Sequence, residues 1–176
     1  MKTPPAHFRE LPHKISTLIY AFNRRDELLM LRRRYPPNTG LWSPFGGKLR
    51  RQEGESPHQC AARETAEEIG RVCQPGEFHL AAMVAERAYE NETHWLMFMF
   101  ELKPRLDALP PPHPEGIFQF VPIAEVLQQP VPATDRDILW PLFLEHRGGF
   151  FAGSIVCHSD GGVVWAAEEI FSQRLA

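Results

Sequence analysis

The chain has 176 residues, of which 43% are hydrophobic and 23% charged, and its formal net charge at pH 7 is −3. These values are close to globular averages and argue against wholesale disorder. The charge balance also lacks the basic footprint of a nucleic-acid-binding protein. Because the chain is long enough to bury a core, we expect one domain over residues 1–176.

The cysteines and the apolar segments bear on the cellular compartment. Cys60, Cys73 and Cys157 have neither disulfide-framework nor metal-ligand spacing, which indicates thiols in a reducing cytoplasm. The first ten residues, MKTPPAHFRE, contain no apolar signal-peptide core, and the apolar run at 95–100 is too short to span a bilayer. We therefore expect a cytoplasmic protein that binds neither membranes nor nucleic-acid polymers, as a monomer or a homodimer.

The predicted elements follow one another without a repeating βαβ rhythm. The first half of the chain predicts a hairpin (15–22 with 27–32), a glycine-containing loop (41–48), a helix (57–69) and two paired strands (78–86 with 94–102). The second half predicts a proline-rich loop (110–116), a strand with a short helix (117–122 with 123–128), a second amphipathic helix (134–146) and a closing hairpin (148–169). Pro141 predicts a kink or a break in the second helix. This order favours an α+β sandwich with a mixed sheet over a doubly wound fold.

The first predicted helix has clear boundaries and an acidic face. Ser56 is suited to cap it, with Pro57 at the first helical position and Gln59 completing a capping box, and Gly70 is suited to end it. At about 100° per residue, three glutamates share one face and small residues occupy the other. Those glutamates are Glu64, Glu67 and Glu68.

Two interpretations of this acidic face remain open from the helix alone. Carboxylates at these spacings repel one another, and an exposed, solvated helix end tolerates that repulsion at small cost. A hard divalent cation would instead make the cluster favourable, because Mg²⁺ and Ca²⁺ prefer carboxylate oxygens.

The sequence around the helix resembles the Nudix box. GGKLRRQEGESPHQCAARETAEEIG (46–70) is similar to the pattern Gly, five residues, Glu, seven residues, Arg-Glu-apolar-x-Glu-Glu-x-Gly-apolar. The positions that match in type and spacing are Glu55, Arg63, Glu64, Glu67, Glu68 and Gly70.

The chain departs from that pattern at three places. Seven residues, not five, separate Gly47 from Glu55, which we interpret as a two-residue insertion within LRRQEG. Thr65 and Arg71 stand at positions where the pattern has apolar residues. None of these departures removes a carboxylate.

The resemblance implies a Nudix fold, a mixed β-sheet sandwiched between helices, and metal-dependent hydrolysis of a nucleoside diphosphate linked to another group. It implies Mg²⁺ as the cofactor, with Mn²⁺ as a substitute, and Glu64, Glu67 and Glu68 as the metal ligands. Glu67 and Glu68 would also be catalytic, with Arg63 as an organiser. The candidate phosphate-binding residues are Gly46, Gly47, Lys48 and Arg32.

A further acid outside the box often completes such sites. The stretch HPEGIFQFVPIAEV (113–126) resembles the one that supplies it in MutT-type members, and Glu115 is the matching position. The alternative interpretation is an ordinary loop acid, and Glu90 and Glu92 compete for the role.

The resemblance extends over most of the chain to the 8-oxo-dGTP diphosphatase branch of the MutT group. It implies Ser43, Phe45 and Asp135 as base-recognition residues. Ser43 replaces a neutral amide of that branch, and Ala133 or Thr134 replaces an aromatic residue. The alternative for Asp135 is an acid that complements the helix dipole.

Three functions follow as hypotheses. The first is a pyrophosphatase that converts a nucleoside triphosphate, including oxidised purine forms, to the monophosphate and pyrophosphate. The second applies the same chemistry to an ADP-sugar or a dinucleotide polyphosphate. The third is a non-catalytic nucleotide sensor of the same fold, against which the complete glutamate set argues.

Overall fold

The computed structural model describes residues 10–171, so most of the segment behind the signal-peptide expectation, residues 1–9, lies outside the described range. The strands are β1 His13–Asn23, β2 Glu27–Arg33, β3 Trp42–Ser43, β4 Phe78–Tyr89, β5 Thr93–Leu106, β6 Gly116–Pro122, β7 Phe150–Cys157 and β8 Val163–Phe171. The α-helices are α1 Pro57–Ile69 and α2 Trp140–Glu145. Within the described range, no helix has the length and apolar character needed to cross a membrane.

The strands form one mixed sheet. Its order is β3-β2-β1-β5-β4-β7-β8, and β6 pairs with β2. The β1–β5 and β4–β7 pairs are parallel, whereas β4–β5 and β7–β8 are antiparallel, as the two predicted pairings require. The predicted mixed sheet is therefore confirmed.

The first predicted hairpin is present only at its turn. β1 and β2 share a single register pair, Phe22 with Leu28, because β1 continues along β5 while β2 continues along β6. The space between the diverging strands is filled by the segment 45–48. Its carbonyls accept backbone hydrogen bonds from β1, from Thr17 N–H to Gly47 and from Ile19 N–H to Phe45, each at 2.8 Å. The divergence thus brings the paired glycines into the sheet.

Buried side chains lie on both faces of the sheet, as β1 shows. Its side chains alternate, so that Tyr20 and Phe22 pack in the cluster that contains α2 residues, while Ile19 and Ala21 pack in the cluster that contains α1 residues. Phe143 of α2 stacks on Tyr20 with ring centroids 4.2 Å apart. The helices cover opposite faces, which confirms the predicted layering.

Two of the predicted helices are not regular α-helices in the structure. Residues 123–128 form a 3₁₀ helix. In the predicted helix 134–146, a five-residue π-helical stretch, Asp135–Leu139, precedes α2, and the Trp140 N–H donates to the Asp135 carbonyl. Pro141 has no N–H to donate, and it is the second residue of α2. The helix changes from π-helical to α-helical geometry just before Pro141, so the irregularity lies next to the predicted position.

Helix α1 has the predicted ends. The Ser56 N–H donates to Gln59 Oε1 at 2.9 Å, and the Gln59 N–H donates to Ser56 Oγ at 3.2 Å, which completes the capping box. Gly70 ends the helix in the left-handed conformation, with φ of 69°.

We expect Ser56→Ala to lower the free energy of unfolding by about 1 kcal/mol, because it removes the side-chain acceptor for the Gln59 N–H. Chemical denaturation measures this change. Ser56→Asp, which keeps an acceptor at the cap, is the control and should stay close to the unmodified protein. Equal losses in both variants would contradict a capping role.

Candidate functional site

The three acids of α1 differ in exposure. Glu68 is buried, with 4% of its surface accessible, whereas Glu67 is exposed and Glu64 lies between them. Glu68 Oε1 accepts a hydrogen bond from the Gly46 N–H at 3.0 Å, but its buried Oε2 has no hydrogen-bond partner among residues 10–171. Burial, together with the negative charges of Glu115 and Glu64, raises the pKa of Glu68 to about 8.

Arg63 connects the box residues. Its guanidinium forms a two-pronged ion pair with Glu55 at 2.7 and 2.9 Å. It also donates to Glu64 at 2.6 Å, to Glu67 at 3.0 Å and to the Lys48 carbonyl at 3.2 Å. The hydrogen bonds to Glu55 and Glu64 raise the pKa of Arg63 and keep it charged. Arg63 therefore holds the helix acids against the glycine-containing loop.

The inserted loop residues leave Glu55 in its matching position. Arg51–Glu53 form one 3₁₀ turn, and the N–H of Arg50, the residue just before this turn, donates to Glu55 Oε2 at 2.8 Å. Glu53 is exposed and pairs only loosely with Arg50, at 3.8 Å. Glu55, rather than Glu53, is thus the partner of Arg63, and the two extra residues are absorbed by the turn.

The two glycines permit a close approach that other residues would prevent. Gly46 has φ of 137°, and a Cβ there would lie 2.3 Å from the Thr17 carbonyl oxygen. A Cβ on Gly47 would lie 2.2 Å from Glu64 Oε1. The carboxylates of α1 therefore lie directly against the loop backbone.

A cavity of about 270 Å³ lies beside this loop. It brings together residues from distant parts of the chain, and six of them were predicted from the sequence: Ser43, Gly46, Gly47, Lys48, Glu115 and Asp135. The carbonyl of Glu115 accepts a hydrogen bond from the Arg34 N–H at 2.7 Å, which anchors this acid next to β2. Its charge raises the pKa of both Glu64 and Glu68.

Some predicted residues lie elsewhere. Phe45 is fully buried in the core below α1 and is not brought to the cavity, so its side chain cannot contact a base there. Arg32 is exposed and donates to the Gly40 carbonyl at 3.3 Å, and its neighbour Arg33 lines the cavity instead. Adjacent residues of a strand point to opposite faces of the sheet, so only one of these two arginines can line the cavity. Glu90 and Glu92 are exposed in the β4–β5 turn and are not among the lining residues.

Sequence reasoning missed a third acid in the cavity, Glu86 of β4. Glu86 is 4% exposed, and burial raises its pKa to about 7. Burial and the charge of Glu86 likewise raise the pKa of Asp135 to about 7. The available signal was the alternation of β4, in which Ala82 and Val84 point inward and the next inward position is an acid.

The donor set suits a hard divalent cation. In the described part of the chain, no three His, Cys, Asp or Glu side chains converge on one point, because Arg63 and Arg50 engage Glu64 and Glu67. The unpartnered Oε2 of Glu68 and the neighbouring carboxylate oxygens are nevertheless the ligand type that Mg²⁺ and Mn²⁺ accept.

Comparison with known proteins places this arrangement in a family. The family model for the NUDIX domain matches residues 12–140. A MutT protein from Methanosarcina mazei Go1 is 28% identical, with a TM-score of 0.65, over 79% of this chain and 99% of that chain.

Two structures of lower identity share the fold. The mutator MutT protein from Bacillus halodurans is 22% identical, with a TM-score of 0.70, over 88% of this chain and 97% of that chain. The NUDIX domain of Shewanella oneidensis NrtR, solved with ADP ribose, is 20% identical, with a TM-score of 0.61, over 81% of this chain and 92% of that chain. Because the family model covers most of the chain, this protein belongs to the NUDIX family and is a Nudix pyrophosphohydrolase.

Proposed function

We propose that this protein hydrolyses a nucleoside triphosphate, including oxidised purine forms, to the nucleoside monophosphate and pyrophosphate in the cytoplasm. The observation that carries the proposal is the buried carboxylate of Glu68. One of its oxygens bonds to Gly46 and the other has no partner, and Gly46 lines the cavity. A buried acid of this kind, next to further carboxylates, is typical of a catalytic site.

The residues have distinct roles in this proposal. Glu64, Glu67 and Glu68 would hold Mg²⁺, or Mn²⁺ in its place, and the bound ion would supply charge neutralisation and a more acidic water. Arg63 orients Glu64 and Glu67 through the ion pairs described above. Gly46 and Gly47 allow the phosphate chain to approach the backbone. Lys48 and Arg33 line the same cavity and contribute positive charge for the phosphates.

The reaction is a displacement at phosphorus. The water oxygen forms a new bond to phosphorus, the bridging P–O bond breaks, and pyrophosphate leaves with the electron pair of that bond. Glu115 lines the cavity and is the candidate to accept the proton released by the water. Ser43 and Asp135 line the same cavity and are the candidates for contact with the base.

A second candidate substrate is an ADP-sugar or a dinucleotide polyphosphate. The NrtR domain, which shares the fold, was solved with ADP ribose, and the same carboxylates would serve any nucleoside diphosphate linked to another group. Membership of the NUDIX family supports an enzyme over the third hypothesis, a nucleotide sensor without activity.

A substrate panel separates these functions. Phosphate and pyrophosphate release is measured with Mg²⁺ for the four deoxynucleoside triphosphates, 8-oxo-dGTP, ADP-ribose and a dinucleotide polyphosphate. We expect the highest kcat/KM for a nucleoside triphosphate, with pyrophosphate as the product. Preference for ADP-ribose or the dinucleotide would overturn the proposed substrate class. Absence of pyrophosphate release from every nucleoside triphosphate in the panel would also overturn it.

We expect Glu68→Gln to lower kcat by at least about 100-fold, because it removes a carboxylate that would hold the metal ion while keeping an oxygen for the Gly46 N–H. Steady-state hydrolysis of the best panel substrate measures this effect. Glu53→Gln, which changes an exposed acid of the inserted turn, is the matched control and should leave kcat within about twofold. Unchanged hydrolysis in Glu68→Gln would remove Glu68 from the metal site.

We expect Gly47→Ala to lower kcat by about tenfold or more, because the added methyl group would displace the Glu64 carboxylate. The apparent affinity for Mn²⁺, measured by calorimetry, should fall in parallel. Gly76→Ala is the control, since a Cβ at Gly76 meets open space. Equal behaviour of the two variants would show that the contact between Gly47 and Glu64 is not needed.

A further inference from the structure

The two-residue insertion brings a second arginine to the acidic face of helix α1. Arg50 and Arg51 lie within the inserted stretch LRRQEG, Arg50 just before the 3₁₀ turn and Arg51 at its first position. The N–H of Arg50 donates to Glu55 Oε2 at 2.8 Å, which fixes its backbone beside the helix, and its Nη2 donates to Glu67 Oε1 at 3.0 Å. Arg51 is exposed and forms no ion pair within residues 10–171. The insertion thus supplies one arginine that reaches a candidate metal ligand and a neighbour that does not.

Both carboxylate oxygens of Glu67 are engaged by guanidinium groups. Oε1 accepts a hydrogen bond from Arg50 and Oε2 accepts one from Arg63, each at 3.0 Å. A divalent cation and a guanidinium compete for the same carboxylate, because each lowers the negative charge that attracts the other. A metal ion that uses Glu67 as a ligand therefore has to weaken or replace at least one of these two ion pairs.

The two arginines differ in how firmly they are held. The side chain of Arg63 is 17% exposed and is fixed by the two-pronged ion pair with Glu55. The side chain of Arg50 is 49% exposed, and its other ion pair in the described range, with Glu53, is loose at 3.8 Å. Water solvates a half-exposed guanidinium at small cost, whereas a mostly buried one that loses its partner is left poorly compensated. Arg50 is therefore the one of the two that can leave Glu67.

The charge of the box explains why a second arginine would be retained there. Four carboxylates of the box share a single cation of the box, Arg63, which donates to three of them: Glu55, Glu64 and Glu67. Without a metal ion, the remaining negative charge repels itself. Glu67 is the exposed member of the helix acids, so a cation from the neighbouring turn can reach it.

We propose that Arg50 is a resident counter-ion of the metal site, which pairs with Glu67 in the metal-free protein and competes with the divalent cation for it. Arg50 stabilises the protein before metal binds and leaves Glu67 on binding, so the inserted turn raises the cation concentration that the site requires. This inference rests on the proposed function, because it takes the acids of α1 to be the metal site. It concerns the affinity of that site for the cation, whereas the proposed function concerns the bond that is hydrolysed.

Calorimetry of Mn²⁺ binding to the nucleotide-free protein tests the inference apart from catalysis. The unmodified protein is compared with Arg50→Gln and with Arg51→Gln, which removes the same charge from the adjacent exposed position. At low ionic strength we expect Arg50→Gln to bind Mn²⁺ about two- to fivefold more tightly, the range for a half-exposed ion pair, and Arg51→Gln to stay within about 1.5-fold. Added salt should reduce the gain in Arg50→Gln, because it screens half-exposed charges.

Thermal denaturation supplies a second measurement that needs no substrate. Without divalent cation, Arg50→Gln should melt at a lower temperature than Arg51→Gln, because Glu67 has lost its counter-ion. With saturating Mn²⁺ the two variants should melt at about the same temperature, since Arg50 no longer stabilises the metal-bound state. The stability lost in the metal-free protein and the affinity gained for Mn²⁺ are then two measures of one coupling free energy.

Three results would overturn the inference. They are Mn²⁺ binding by Arg50→Gln that is unchanged, weaker or undetectable, an equal gain in Arg50→Gln and Arg51→Gln, and a lower melting temperature of Arg50→Gln that persists with saturating Mn²⁺. The unmodified protein could still hydrolyse a nucleoside triphosphate in each case. Conversely, tighter Mn²⁺ binding by Arg50→Gln would stand even if ADP-ribose were the preferred substrate, so failure here and failure of the proposed function are distinguishable.

Discussion

The contact between the Gly46–Gly47 backbone and helix α1 is the constraint on which the rest of the site depends. Gly47 accepts a hydrogen bond from Thr17 of β1, and Gly46 donates one to Glu68 of α1. The same two residues therefore hold sheet and helix together, and a side chain on either would collide with one of them. The divergence of β1 from β2 follows from this constraint, because the segment needs a place in the sheet. Fixed backbone, rather than mobile side chains, thus sets where the Glu68 carboxylate lies.

Much of the site could be predicted because its signals are local. The cap at Ser56, the left-handed Gly70 and the helical period define α1 within a short stretch, and each depends on residues close in sequence. The position of Glu55 could also be inferred despite the insertion, since the spacing from Glu55 to Arg63 is intact and a turn absorbs the extra residues. Local chemistry was sufficient wherever the residues that determine a feature are neighbours along the chain.

The features that the sequence did not predict depend on which strands pair with each other in the sheet. Because side chains alternate along a strand, Arg32 and Arg33 must point to opposite faces of the sheet. Which of the two reaches the cavity is decided by the pairing of β2 with β6 and β3. Phe45 is adjacent to the glycines in sequence, yet its bond to Ile19 turns its side chain into the core. The position of Glu86 near Asp135 can be predicted only when three strand pairings are known. The wide turn at Asp135–Leu139 likewise arises from packing over the sheet, for which the sequence carries only the nearby proline as a signal.

The acids of α1 and the buried Glu86 of β4 differ in how their charge is balanced. Glu64 and Glu67 of α1 are paired with Arg63 and Arg50, so they belong to a region that contains charge of both signs. Glu86 has neutral hydrogen-bonding neighbours, and burial keeps its proton affinity high. Glu86 therefore costs the folded protein stability when its carboxyl group ionises, because no cation lies among the groups that act on its pKa.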